Sequence, residues 1–115
     1  MAAITPLQLA YDVASVTKPV TGLTAIVHGN TDTIAYPKTG KLLIVLNNTT
    51  AGAKIVTINA GDFTANGLGN LDISMAQDAV QYLVVSSDRF RQSDGTITVD
   101  YEANMTGYIG AFYLP

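Results

Sequence analysis

The residues best suited to chemistry stand together in one segment, SSDRFRQSDGTITVDY, residues 86–101. It holds both arginines of the chain and three of its nine acidic residues, a combination able to bind an anion or to transfer protons. The same segment contains Asp94-Gly95, the sequence of a tight hairpin turn, because glycine adopts positive φ without steric cost and aspartate tolerates it. Two interpretations follow: a ligand site, or a corner at which the chain turns between strands.

Turn chemistry accounts for these residues, so we interpret the segment as a structural corner. The side chain of Ser87 or Asp88 can bond nearby backbone N–H groups and start a turn. Phe90 would hold the corner to the core, while Arg89 would pair with a carboxylate or cover carbonyl groups left open. The residues assigned to the structural corner are Asp88, Arg89, Phe90, Asp94 and Gly95.

Catalysis and metal binding have little support elsewhere in the sequence. The one histidine, His28, has no serine or cysteine nucleophile motif to accompany it, and without cysteine there is no disulfide or thiolate metal site. A calcium site is the alternative for the loop GDFTANGLGN, residues 61–70, but the EF-hand spacing and its glutamate are missing. Its oxygen ligands would be Asp62, Asn66, Asn70 and Asp72. We therefore predict a protein that is not an enzyme, with no catalytic residue, metal or cofactor.

The composition limits the kinds of molecule that the chain is expected to bind. A chain of 115 residues forms one domain with one core. Its net charge is −3 and its six lysines and arginines are scattered, whereas nucleic-acid binding needs clustered cations, so we predict no nucleic-acid partner. Only 13% of residues are charged, about half the usual share, which favours a surface that packs against neighbouring molecules.

The sequence predicts no membrane partner. Its first residues lack the basic and apolar regions of a signal peptide, and the longest apolar run, Leu42 to Leu46, is far too short to span a bilayer. We expect a soluble protein made in a cytoplasm.

The first 22 residues are predicted to form an extended arm. Apolar and polar residues alternate with the two-residue period of a strand, and Pro19 and Gly22 then break regular pairing. The alternative is a helix capped by Thr5 with Pro6 at its first position, but its apolar stripe is weaker. The apolar residues of the arm are Leu7, Leu9, Tyr11 and Val13.

Residues 23–115 are predicted to form a β-sandwich or jelly-roll-like domain, so that the whole chain is all-β with about eight short strands. KLLIVLN has no polar alternation and is expected in the centre of the fold, in a hairpin with AKIVTIN. GTITVDY alternates, with Ile97, Val99 and Tyr101 pointing inward. NTDTIAYPKTG, between the strands LTAIVHG and KLLIVLN, is predicted to be a loop. The remaining strands are LDISMA, AVQYLVVS and GYIGAFYLP.

An ordered set of turn and strand signatures runs along nearly the whole chain. A short ITP arm is followed by GKLLIVLNN, a VTI strand, SSDRF, DGTITVDY and a closing strand that ends in Leu-Pro. In this order the signatures resemble the decoration or cement proteins of tailed-bacteriophage capsids. The resemblance implies a non-enzymatic, all-β protein on the outer surface of the virion head, often a homotrimer, whose partner is the major capsid protein and which is made in the bacterial host cytoplasm.

The chain departs from that pattern in its long 61–70 loop, which we regard as a candidate surface contact. The contact residues of the loop would be Asn66, Gly67, Leu68 and Asn70. The arm is the candidate contact between subunits, because an extended segment can add to a neighbour's sheet through its backbone groups. The alternative function is a tail or fibre-type module that binds host-surface carbohydrate, for which six tyrosines would be suited.

Overall fold

The alternating and apolar runs of the sequence form ten β-strands in the computed structural model, which describes residues 3–9, 23–27, 29, 31–37, 40–63 and 67–115. The strands are β1 (Ala3–Ile4), β2 (Leu7–Gln8), β3 (Thr24–Ala25), β4 (Thr31–Ala35), β5 (Leu42–Asn48), β6 (Lys54–Ile58), β7 (Leu71–Met75), β8 (Val80–Val85), β9 (Thr96–Tyr101) and β10 (Gly107–Tyr113). More strands are seen than expected, because β1 was not predicted and β4 lies in a segment predicted to be a loop. Strands β2 and β3 have two residues each and lie within the predicted arm and the predicted strand LTAIVHG.

Two mixed sheets enclose one core, which confirms the predicted all-β sandwich. The first sheet has the order β1-β4-β9-β6-β7, and the second has the order β2-β10-β5-β8. Strand β3 pairs with the start of β10, on the same edge that β2 occupies near its end. Both sheets contribute to a single buried apolar cluster, including Ile34, Val56 and Ile97 from the first and Leu42, Ile44 and Ile109 from the second.

Strand β5 lies inside the second sheet, as its unbroken apolar sequence predicts. It pairs with β10 on one side and β8 on the other. Leu42, Ile44 and Leu46 are fully buried in the core, and Val45 on the opposite face is only 7% exposed. On that outer face Gly110 of β10 makes room for Leu23, because a Cβ atom added to Gly110 would lie 2.6 Å from Leu23 Cδ2. Gly110 therefore permits the close approach of Leu23 to this face.

The prediction of a loop over residues 30–40 is wrong for its first half. Residues 31–35 form β4, which pairs with β9 throughout its length and with β1. The turn-forming residues misled the prediction, since Asp32 points into the core rather than into solvent and is only 3% exposed. A buried partner for its carboxylate lies far away in sequence, where no local pattern reveals it.

The predicted hairpin between β5 and β6 is also wrong. The two strands belong to different sheets, so residues 49–53 carry the chain across the sandwich instead of back along the same sheet. Strand β5 is covered on both edges by β10 and β8, and β6 lies between β9 and β7. Turn sequences mark where a chain reverses, but they do not say which strand it then joins.

Asp32 is held by Tyr101, the last residue of β9. The tyrosine hydroxyl donates to Asp32 Oδ2 at 2.6 Å, and both residues are buried. Burial, this hydrogen bond and the charges of Asp32 and Asp100 together raise the pKa of Tyr101 far above its ordinary value of 10.0. The bond joins β4 to β9 within the core, where an unpartnered polar group is costly.

Replacing Tyr101 with phenylalanine should lower the free energy of unfolding by about 2 kcal/mol at neutral pH, because the carboxylate of Asp32 would lose its buried donor. The native state holds the phenolic proton more tightly than the unfolded chain. This part of the stability is therefore complete below pH 10 and falls above it by about 1.4 kcal/mol per pH unit. Urea unfolding of both proteins between pH 7 and pH 11 should show the difference shrinking above pH 10.

Tyr82→Phe is the matched control, since Tyr82 is 69% exposed and loses only a solvated hydroxyl. We expect this change to stay within about 0.5 kcal/mol of the wild type. Equal stabilities for the two variants, or a difference that does not vary with pH, would contradict the role given to the Tyr101 hydroxyl.

Residues 3–9, which the sequence assigns to the arm, contribute one strand to each sheet of the same chain. Ile4 pairs with Ile34 and is 4% exposed, so it belongs to the core. Leu7 pairs in parallel with Phe112, and the Leu9 N–H donates to the carbonyl of Tyr113 at 2.8 Å. This segment therefore crosses from the first sheet to the second along one side of the sandwich. Tyr11 and Val13 lie outside the described residues, and contact with a neighbouring subunit stays a prediction.

Candidate functional site

The corner segment, residues 86–95, connects β8 in the second sheet to β9 in the first. The Arg91 N–H donates to the Asp88 carbonyl at 3.1 Å, closing a tight turn. Phe90 lies in the core and is 5% exposed. In the following turn Gly95 has a φ of 82°, and Asp94 Oδ1 accepts bonds from the backbone N–H and hydroxyl of Thr96. These contacts place the charged segment at a change of sheet.

Arg89 joins the corner to the 61–70 loop. Its Nε donates to the Gly69 carbonyl at 3.1 Å, and its Nη2 donates to the carbonyls of Leu68 and Asn70 at 3.3 and 3.2 Å. Its guanidinium also stacks on the ring of Phe90, 4.7 Å from the ring centroid. Of the two partners considered for Arg89, carbonyl groups and a carboxylate, the structure shows the carbonyls.

The start of the same loop lies directly against the corner backbone. The Gly61 N–H donates to the Arg89 carbonyl at 2.8 Å, and the Asp62 N–H donates to the Arg91 carbonyl at 2.9 Å. A Cβ atom on Gly61 would stand 2.0 Å from the Arg91 carbonyl oxygen, so only glycine fits this approach. The two regions that the sequence treats separately are therefore packed together as one unit.

Each calcium candidate that the structure describes uses one side-chain oxygen in a hydrogen bond within the protein. Asp62 Oδ2 accepts from the Ser93 N–H, Asn70 Oδ1 from the Ala60 N–H and Asp72 Oδ1 from the Thr57 hydroxyl. Asn66 and His28 lie outside the described residues. Within the part of the chain that the structure describes, no three acidic, histidine or cysteine residues are grouped to hold a metal. Of the loop's other candidate contact residues, Gly67 is exposed and Leu68 is 71% exposed.

The outer face of the first sheet is mainly polar and hydrogen-bonded across its strands, with Ile55 on β6 as an apolar residue that is 41% exposed. Asp100 on β9 accepts bonds from the hydroxyl of Thr31 on β4 and from Asn59 Nδ2, the latter at 2.8 Å. Thr57 on β6 donates to Asp72 on β7. A face whose polar groups are paired with each other and half open to water is suited to solvent contact.

The outer face of the second sheet ends in an apolar strand. Strand β8 is the last strand of that sheet, and its outward residues are Val80, Tyr82 and Val84, which we call the β8 edge. They are 37%, 69% and 57% exposed. The strand sequence VQYLVV has no charge and no proline, the devices that commonly protect an edge strand from pairing. Sequence reasoning missed this surface, although the alternation of uncharged residues was visible.

Comparison of the chain with protein-family models, with curated proteins and with solved structures finds no match. The structure defines the fold class, an all-β sandwich. The outer face of its first sheet is mainly polar, and the second sheet ends in the apolar β8 edge. The described residues contain no helix long and apolar enough to cross a bilayer.

Proposed function

We propose that this chain is a structural protein of a bacteriophage virion, a decoration or cement protein that binds the outer surface of the head and stabilises it. The β8 edge is the observation that carries the proposal. Three exposed apolar side chains lie on a strand whose outer edge has no partner among the described residues, and burying them against another protein removes apolar area from water. The protein works by adhesion and makes or breaks no covalent bond.

The β8 edge offers two kinds of contact to the major capsid protein. Its outward side chains supply apolar area, and its outer backbone groups, which no described strand pairs with, can accept an added strand from the lattice. Tyr82 stands at the centre of the edge and is the most exposed of the three residues. Exposed tyrosines at the centre of an apolar patch often dominate binding energy.

The sheet opposite the β8 edge would then face solvent. Its outer face carries Asp72 and Asp100 among threonines, so it remains hydrated while the apolar face is covered. Association as a homotrimer would let several modest contacts act together, because each bound subunit raises the effective concentration of the next. Sedimentation velocity on the purified chain tests the trimer directly.

Replacing Tyr82 with lysine should weaken binding to capsids by about tenfold or more, because apolar area is lost and a charge must be desolvated. The measurement is co-sedimentation of the purified chain with empty heads assembled from the major capsid protein of the same phage. Ser74→Lys is the matched control, since Ser74 is exposed on β7 in the opposite sheet and adds the same charge.

Three results bear on the proposal. Loss of binding in Tyr82→Lys alone supports it, and equal binding by both variants would contradict the β8 edge as the contact. If the wild-type chain sediments with host cells and not with heads, the carbohydrate-binding alternative replaces the capsid role.

A further inference from the structure

Arg91 presents an ordered cation at the surface of the corner segment. Its guanidinium carbon lies 4.9 Å from the centroid of the Phe63 ring and 5.5 Å from that of the Tyr36 ring. Tyr36 is itself fixed, because its hydroxyl donates to the Ser87 carbonyl at 2.9 Å and its N–H to the Gly95 carbonyl at 2.8 Å. Stacking on aromatic rings reduces the conformational freedom of an exposed arginine and leaves the N–H groups at its rim available.

The N–H donors of this guanidinium have no acceptor among the described residues. The ion pair found in the described part of the chain joins Lys54 to Glu102, away from the corner. Arg89 differs, since its side chain donates to three carbonyl groups of the loop. The two neighbouring arginines therefore differ: Arg89 holds the loop to the corner, and Arg91 is positioned with no anionic partner in the described part of the chain.

A cleft opens beside Arg91. It has a volume of about 440 Å³ and is lined by Tyr36, Pro37, Gly40, Arg91 and Gly95. Such a volume lies in the range of small-molecule sites and suits a ligand of one or two sugar rings. The glycines leave backbone exposed to a ligand, and Tyr36 supplies an aromatic wall.

We propose that this cleft, here called the Arg91 cleft, binds a small hydroxylated ligand that carries one oxyanion, a carboxylate or a phosphate. The planar guanidinium matches two oxygens of such a group with two parallel N–H···O bonds. Burial is the main cause of the raised pKa of the Tyr36 hydroxyl; the charge of Arg91 lowers this pKa and the charge of Asp88 raises it. Asp88 is therefore close enough to Tyr36 to act on it electrostatically. A ligand with several negative charges would meet this carboxylate, so an acidic sugar suits the cleft better than a polyanion.

The site is separate from the β8 edge and does not depend on capsid binding. Arg91 belongs to the crossover between the sheets, whereas the β8 edge belongs to the end of the second sheet. A chain that fails to bind heads can still bind the anion, and the reverse also holds.

The test is an ¹H–¹⁵N NMR titration of the full chain with glucuronate, glucose 6-phosphate and glucose. Either anion should shift the amide resonances of Gly40 and Gly95 and the side-chain Nε resonance of Arg91, and glucose should not. The anion that shifts them identifies the oxyanion preferred. Arg91→Gln should weaken binding by about tenfold or more, and Arg91→Lys, which retains the charge without the fork, by less.

Lys54→Gln is the matched control, because it removes the same charge from a surface ion pair outside the cleft. It should bind the anion as the wild type does. Absence of shifts with both anions, equal shifts with glucose, or equal weakening by Lys54→Gln would overturn the proposal. If Arg91→Gln does not give a folded spectrum, the comparison of Arg91→Lys with Lys54→Gln decides the question.

Discussion

Replacing Asn48 with alanine should lower the free energy of unfolding by about 3 kcal/mol, a large fraction of the stability of a domain of this size. Asn48 ends β5 and is completely buried. Its Nδ2 donates to the Met75 carbonyl at 2.9 Å, and its Oδ1 accepts from the Thr50 N–H at 3.0 Å. Alanine would leave both backbone groups without these partners in a region that water reaches poorly.

The expected loss is large because one side chain ties two turns together. Nδ2 also lies within 3.2 Å of the Gly52 carbonyl and 3.3 Å of the Ala76 carbonyl. The backbone of Asn48 bonds to Asp78 and Ala79 in the same β7–β8 turn. The side chain therefore joins the crossover after β5 to the turn between two strands of different sheets.

Asn47→Ala is the matched control for this experiment. Asn47 is the preceding residue and is 8% exposed, but its amide makes one long bond of 3.4 Å to the Ala79 carbonyl. We expect a loss of about 1 kcal/mol or less for this variant. Guanidinium-induced unfolding measures both losses of stability, and the slope of the free energy of unfolding against denaturant concentration should be the same in both variants. If the two variants lose equal stability, the bonds of Asn48 do not hold the turns as described.

Sequence periodicity predicted the strands well where apolar residues mark the buried face. Strand β9 shows why, since Ile97 and Val99 are fully buried and alternate with threonines on the outer face. Strand β5 was placed in the centre because an uninterrupted apolar run has no face that tolerates water. Both inferences use local sequence and the period of a strand, and both survive in the structure.

Periodicity does not predict which strands pair with each other. Strand β4 was missed because Asp32 is stabilised by Tyr101, which is 69 residues away. The β5–β6 hairpin was wrongly predicted because adjacent strands of a sandwich can belong to opposite sheets. Neither relation has a local signal, since each depends on a contact between distant segments.

In the candidate site, too, local sequence predicts some features, while others depend on contacts between distant segments. The turn at Asp94 and Gly95 and the burial of Phe90 follow from residue types close together in sequence. The contact between Arg89 and the 61–70 loop, and the stacking of Arg91 on Tyr36 and Phe63, require the two sheets to be assembled first. The position of the Arg91 guanidinium therefore has no local signal in the sequence, whereas the uncharged alternation of the β8 edge does.

Replacing Gly61 with alanine is the second change expected to have a large effect, with a loss of about 3 kcal/mol in the free energy of unfolding. The new Cβ atom would stand 2.0 Å from the Arg91 carbonyl oxygen and 2.6 Å from the Arg91 nitrogen, both backbone atoms. Backbone cannot rotate away as a flexible side chain does, so the loop must separate from the corner. The bonds from Gly61 to Arg89 and from Asp62 to Arg91 would break together.

Gly67→Ala distinguishes this steric effect from a general intolerance of the loop. Gly67 is exposed, and a Cβ atom there meets no atom within 4 Å, so we expect a change within about 0.5 kcal/mol. Thermal and urea unfolding of both variants give the stabilities, and the Arg91 Nε resonance shows whether the guanidinium still stacks. Gly61→Ala should be less stable than the wild type. Its Arg91 Nε resonance should also shift, because Phe63 moves with the displaced backbone. A Gly61→Ala protein as stable as Gly67→Ala would mean that the loop and the corner are not packed as one unit.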